Sequence, residues 1–125
     1  MVKMGSILND TKKMLAIPEE SKEFDQDIII FINATLSRLE QLGVGPVGGY
    51  AITGDEEDWS EFEDRPTFSE IKIYVYLSVR ILFDPPTVGT VMNAFKEQIE
   101  KLEWTINVKR EEDKWNIRQT SSQYP

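Results

Sequence analysis

Thr67-Phe68-Ser69-Glu70-Ile71-Lys72-Ile73-Tyr74-Val75-Tyr76-Leu77-Ser78-Val79-Arg80-Ile81-Leu82-Phe83-Asp84-Pro85-Pro86 is the stretch on which the fold turns. Ile71, Ile73, Val75, Leu77, Val79, Ile81 and Phe83 alternate without a break, which is the pattern of a strand. The flanks say otherwise. Thr67-Phe68-Ser69-Glu70 is an S/T-x-x-E capping box with Pro66 just upstream, and Pro85-Pro86 ends the run where a helix must stop. No second run of matching length is present to pair with it, and an unpaired strand leaves its backbone groups unsatisfied. We read residues 71–83 as a helix, apolar nearly all round and therefore central.

Outward from this segment the helical signals are plainer. Ser6 can cap a short first helix with Ile7, Leu8, Thr11, Met14 and Leu15 on one stripe, stopped by Pro18. A second helix is predicted from between Ser21 and Asp25 to Leu42. Its face is Ile28, Ile32, Leu36 and Leu39, and Gly43 supplies the C-terminal cap. After the two prolines, Thr87 can cap a last long helix, with Val88, Val91, Phe95, Ile99, Leu102 and Ile106 as a heptad-like seam. The expected core is Ile28, Ile32, Leu36, Leu39, Tyr74, Leu77, Ile81, Phe95, Ile99 and Leu102. The fold class is all-α: a bundle of about four helices.

Two segments do not belong to the bundle pattern. Residues 43–58 hold five of the seven glycines, which makes them a long loop, and Val47-Gly48-Gly49-Tyr50-Ala51-Ile52 can close as a small β-hairpin. Residues 109–125 turn polar, with Trp115, Ile117 and Tyr124 isolated among charges and no helical period. They are expected to be an extended tail. Residues 1–108 then form one helical domain with the loop inserted, and 109–125 a partner-binding tail.

The totals exclude much chemistry. The 125 residues contain no cysteine and no histidine, which removes thiol nucleophiles, Cys/His zinc sites and imidazole bases. Fourteen Lys and Arg against 22 Asp and Glu leave a net charge of −8, unsuited to holding DNA by its phosphates or approaching an anionic membrane. No stretch is long and apolar enough for a membrane span, and the first residues lack a signal-peptide core. A soluble chain made in a cytoplasm is expected.

Each remaining motif has a plain explanation beside a sharper one. Gly43-Val44-Gly45-Pro46-Val47-Gly48 spells G-x-G-x-x-G, but a helix precedes it, Pro46 removes an amide, and no Lys or Arg lies between Arg38 and Arg65. It reads as a flexible loop, and no cofactor is expected. Asp55, Glu56, Glu57, Asp58, Glu61, Glu63 and Asp64 crowd seven carboxylates into ten residues. They lack calcium-loop spacing and read as a solvated acidic surface, or in sharper form as a pore lining that repels DNA phosphates. Trp59 and Phe62 are expected to anchor the loop's return onto the helices. For the tail, burying one Trp against a partner is worth roughly 4–6 kcal/mol at ~25 cal/mol/Å² before ordering costs, and many copies on a ring would bind together firmly. A merely disordered terminus is the dull alternative.

Four segments in order carry a family resemblance: Phe24-Asp25-Gln26-Asp27-Ile28-Ile29-Ile30, Gln41-Leu42-Gly43-Val44-Gly45-Pro46, Ile73 to Pro86 as quoted above, and Glu97-Gln98-Ile99-Glu100-Lys101-Leu102-Glu103-Trp104. Over about residues 7–108 the chain resembles the small helical head–tail connector (adaptor) proteins of long-tailed phages. The resemblance implies a homo-oligomeric ring, expected to be dodecameric, in the virion neck beneath the portal protein. It also implies a channel for double-stranded DNA, and a tail-side completion or terminator protein on the other face. It supports the helical reading of 71–83, and it implies no catalytic or metal residues. Trp115, Ile117, Arg118 and Tyr124 are the expected portal contacts. Val47, Tyr50, Asp55, Glu56, Glu57 and Asp58 are expected to face the pore or the next ring. Two rivals are weighed against it. A DNA-binding regulator would need a basic helix, yet Lys96 and Lys101 sit among Glu97, Glu100 and Glu103; a salt-dependent duplex-binding assay separates the two. A carboxylate-dependent hydrolase on residues 55–64 would show a thermal shift with calcium or magnesium.

Overall fold

The computed structural model describes residues 5–62 and 68–122, with no side-chain description at 68, 110 and 112–122. Its helices are α1 (Ile7–Met14), α2 (Asp25–Gln41), α3 (Trp59–Phe62), α4 (Phe68–Phe83) and α5 (Gly89–Ser122). The fold is an all-α bundle, and the only β pairing among the described residues is an isolated bridge between Ser6 and Asp58.

The contested stretch is a helix and it is central: α4 packs against α1, α2 and α5. Cover on three sides lets apolar residues occupy most of its circumference, which is how helix and alternation coexist. Ile71, Tyr74, Val75, Leu77 and Val79 are buried, Ile81 is half-buried, and Ile73 points outward. Pro66 and Thr67, which argued for the helix start, lie outside the described residues.

Ser6 caps α1 as expected, its Oγ accepting from the Asn9 amide at 3.2 Å. Ile7, Leu8 and Thr11 are buried, whereas Met14 is exposed. The end of α1 is a Schellman turn with Ala16 in the left-handed position, at φ 63°. The Ala16 amide donates to Lys13 O (3.1 Å) and the Ile17 amide to Lys12 O (2.8 Å). An L-residue pays for that conformation, so Ala16→Gly is expected to raise stability by about 0.5–1 kcal/mol, after allowing for the freer unfolded chain. Thermal unfolding should show a Tm higher by a few degrees; a lower one would contradict the strain.

The face of α2 is as read, with Ile28, Ile32, Leu36 and Leu39 all at 0–1 % exposure. Gly43, at φ 87°, makes the matching turn at its end: Gly43 N donates to Glu40 O (2.9 Å) and Val44 N to Leu39 O (2.9 Å). Val44 and Leu39 are both buried, the apolar contact that accompanies this motif.

The last helix departs from expectation in three ways. It begins at Gly89 and not directly after a Thr87 cap. Its seam is buried only in part: Leu102 and Ile106 are in the core, Phe95 and Ile99 are half-buried, and Val88 and Val91 are exposed. It also does not stop near 108. The expected extended tail is corrected: α5 continues to Ser122, 34 residues in all, with no break in the helix at 108/109. A helix polar on every side carries no amphipathic period, so periodicity could not reveal this part.

Candidate assembly surfaces

The loop at 43–58 is built from side chains that replace a strand's partners. Asn33 of α2 clamps Ile52: its Oδ1 accepts from the Ile52 amide (2.8 Å) and its Nδ2 donates to the Ile52 carbonyl (3.0 Å). The backbone groups of Ile52 are thereby taken, and the β-hairpin that residues 47–52 could close does not form. Gly48 and Gly49 still adopt positive φ, 94° and 92°. Gly45, at φ 99°, leaves no room for a side chain, since a Cβ there would lie 2.5 Å from Phe62 Cε1. Val47 stands fully exposed at the loop's turn.

Trp59 and Phe62 return the loop to the core, as expected, at 1 % and 3 % exposure. The join is tied by Ile7 N to Glu57 O (3.0 Å) and Trp59 N to Gly5 O (3.1 Å). Tyr50 lies over Phe62 with centroids 5.7 Å apart, and its hydroxyl donates to Glu61 at 3.4 Å. Burial, then the Glu61 and Glu57 charges, pushes the Tyr50 phenol up to about 12.

The four acids expected to face a pore divide into two kinds. Asp55 and Glu56 are exposed. Glu57 is turned to the backbone, accepting from Thr53 N (2.8 Å), Thr53 Oγ1 (2.9 Å) and Gly54 N (3.3 Å). Asp58 is buried, accepting from Gly5 N (2.9 Å), Ser60 N (2.8 Å) and Ser60 Oγ (2.6 Å) at the start of α3. Glu63 and Asp64 lie outside the described residues. Among the described residues no group of three or more His, Cys, Asp or Glu is arranged to hold a metal ion.

A second polar cluster, which sequence reasoning missed, joins three helices. Glu103 of α5 accepts from Tyr74 Oη of α4 (2.6 Å) and from Arg38 of α2 at Nε (3.4 Å) and Nη2 (3.2 Å). Six residues further on, Lys109 pairs with Glu70 of α4. The partners are far apart in sequence, so no local spacing announces them. Burial alone would push Glu103 up, but the bonds from Tyr74 and Arg38 and the guanidinium charge outweigh it and hold the carboxylate low. The Lys109 hydrogen bond lowers Glu70 against burial, and at Glu57 the Thr53 and Gly54 bonds outweigh burial.

These three carboxylates have folded pKa values below the unfolded 4.5. Their stabilising effect is therefore whole above that value and lost as pH falls through the lowered ones. Tyr50 and Tyr74 have folded values above the unfolded 10.0, so their effect is whole below pH 10 and lost as pH rises past it. Tm is expected to be level between about pH 5 and 9 and to fall on both sides. A Tm unchanged from pH 6 down to about pH 3 would contradict the acid limb.

Exposed apolar side chains form the third feature. Phe24 just before α2, Leu82 in the last turn of α4, and Val88 and Val91 around the start of α5 are all exposed, and Phe24 packs edge-on against Phe83 at 5.4 Å. Apart from them, Trp104 is 69 % exposed on the side of α5 opposite Leu102 and Ile106. Trp104 was not among the residues that sequence reasoning singled out as contacts. Large apolar groups grouped on a surface mark places where another molecule docks. Positions 115, 117 and 118 lie in the last part of α5, their side chains outside the described residues; Tyr124 lies wholly outside them. No helix among the described residues is long and apolar enough to cross a membrane.

A family model described as Phage connector protein matches residues 7–113. No curated protein and no solved structure matches the chain.

Proposed function

The chain belongs to the phage connector protein family, and from that premise we propose that it is a structural, non-enzymatic subunit of a dodecameric ring in the virion neck. The ring sits between the portal protein and a tail-side completion or terminator protein and continues the channel for double-stranded DNA. The family match over most of the chain is the observation that carries this reading. The exposed apolar side chains Phe24, Leu82, Val88 and Val91 support it, because an assembling subunit must keep apolar surface for its neighbours.

The charge of −8 fits a channel that lets DNA pass without binding it. Within the loop, Val47, Tyr50, Asp55 and Glu56 face the pore or the next ring. Asp55 and Glu56 supply the exposed charge there, while Glu57 and Asp58 hold the loop's shape. The C-terminal segment, with Trp115, Ile117, Arg118 and Tyr124, clasps the portal. The subunit assembles in the host cytoplasm and needs neither cofactor nor membrane.

The test is Trp115→Ala. It is expected to leave thermal unfolding within about 1 kcal/mol of the parent, because position 115 lies beyond the Lys109–Glu70 pair that ties α5 to α4. Attachment to the portal should weaken, and phage carrying the variant should give heads that lose DNA. Normal yields of infectious particles would contradict the role given to the tail.

A further inference from the structure

The apolar seam at α5 runs from Val88 through Val91, Phe95, Ile99 and Leu102 to Ile106, yet this chain covers it only at one end. Leu102 and Ile106 are buried and Phe95 and Ile99 half-buried, whereas Val88 and Val91 are 57 % and 42 % exposed. A second apolar surface is concave. Between α2 and α4 lies a groove of about 200 Å³ lined by Ala34, Thr35, Arg38, Tyr74, Ser78 and Leu82. An apolar cavity of roughly 150 Å³ seats a benzene, so this one has room for an aliphatic side chain. Ile30, one turn before Ala34 on the same face of α2, is 61 % exposed, and Leu82 at the groove's wall is 51 % exposed.

Both surfaces are nearly free of charge in a chain whose net charge is −8. Residues 28–37 and 85–95 contain no Asp, Glu, Lys or Arg. At the groove, Arg38 is paired with Glu103 at 3.2 Å, and Asp27 stands one turn ahead of Ile30 at the other end. Beside the seam, Asp84 is paired with Arg80 at 3.7 Å, and the next charges, Lys96 and Glu97, are of opposite sign. The other long uncharged run, 41–54, is different, with Glu40 beside Gly49 and Glu61 bonded to Tyr50.

We propose that the uncovered start of the α5 seam, Val88 and Val91, docks in the α2–α4 groove of a second copy of this chain. This rests on the ring reading above and names the faces that meet. Charge selects the occupant. Two copies at −8 repel each other unless they meet where charge is absent, and the cores of interfaces are depleted of charge. A basic partner would instead be drawn to the carboxylates elsewhere on the surface. Continuity of the seam supplies the second argument, since a helical stripe buried at one end calls for an apolar cover at the other. Seam and groove are different surfaces of one chain, so the contact is head-to-tail, the kind that closes into a ring when the rotation allows.

The chain has no cysteine, so a disulfide between two single-cysteine chains reports one contact between copies. Chains carrying Val88→Cys or Val91→Cys are mixed with chains carrying Ala34→Cys or Ser78→Cys and assembled on purified portal rings of the same phage. The mixtures are oxidised and run on a non-reducing gel. All four positions are exposed or half-buried, so thermal unfolding should stay at the parent level. At least one pairing is expected to give mixed dimers at several times the yield of either variant oxidised alone. Val91→Asp and Ile30→Asp, which place a charge in the contact, should keep the parent Tm and assemble at least tenfold more weakly. Dimers that form equally well from Val91→Cys alone would mean that seam meets seam, and the inference falls. Rings without a mixed dimer in any pairing, or parent-like assembly by either Asp variant, overturn it while the ring reading stands. If the parent forms no ring on the portal at any concentration tried, the ring reading fails and the inference with it.

Discussion

Trp59→Ala is expected to lower the free energy of unfolding by about 4–6 kcal/mol, the largest single-residue effect in the chain. The indole is 1 % exposed, and truncating so large a buried ring costs roughly 3–5 kcal/mol through lost burial and the cavity left behind. Its Nε1 also donates to Asp10 Oδ2 at 2.8 Å, a bond to a charged group worth about 1.5–3 kcal/mol. Asp10 keeps an ion pair with Lys72 at 3.2 Å, so it is not stranded, and the second contribution falls at the low end. Lys72 in turn lies 5.7 Å from the centre of the indole ring and loses that contact as well. Domains of this size are stable by only about 5–15 kcal/mol, so the variant should sit close to unfolding at room temperature. Trp59→Phe, which keeps most of the ring, should lose much less. Denaturant titration measures both, and a loss below about 1 kcal/mol for Trp59→Ala would show that the loop's return does not depend on this anchor.

Lys12→Met is the second. The side chain is wholly buried, and its ammonium donates to the carbonyls of Glu19 (3.0 Å) and Ser21 (2.6 Å). It also lies 2.8 Å from Asp25 Oδ1, an ion pair with only 17 % of the Asp25 side chain exposed. One cation thus holds together the end of α1, the connection after Pro18 and the first residue of α2. Methionine keeps the stem's packing and removes only the charge and its donors. Two carbonyls and a carboxylate then lose their partner, which for a buried pair costs about 3–5 kcal/mol. Asp25 is in the first turn of α2, where the helix dipole and residual exposure soften that loss, so about 3 kcal/mol is the expected value. Lys12→Met with Asp25→Asn should cost clearly less than the two single changes added together. Strict additivity would mean that the two charges do not sense each other.

How far the sequence could be read follows from the range of the interactions involved. The face of α2 and its glycine turn are local, and both were legible from 3.6-residue spacing and from Gly43. For 71–83 the period misled, because a helix covered on three sides needs no polar face; flanking caps, prolines and the lack of a partner strand gave the right answer. The α5 seam was legible as a helix, but not how much of it this chain buries: Leu102 and Ile106 are in the core and Val88 and Val91 are exposed, since spacing cannot tell burial within a chain from burial between chains. At 47–52 the Gly-Gly pair suggested a hairpin, and the distant Asn33 amide instead holds the backbone of Ile52. Lys12, the Arg38–Tyr74–Glu103 cluster and the inward turn of Asp58 all depend on residues brought together by the fold. No pattern along the chain encodes them. The family resemblance reached further than periodicity because it rests on four ordered segments read together.

On the proposed function, the exposed apolar surface of this acidic helical bundle is filled by its own neighbours and by a portal. Electron microscopy of the purified protein with and without portal rings addresses that directly. The expected images show closed dodecameric rings stacked coaxially on the portal with an open central channel. Lone particles that leave the portal bare at every concentration tried would contradict it.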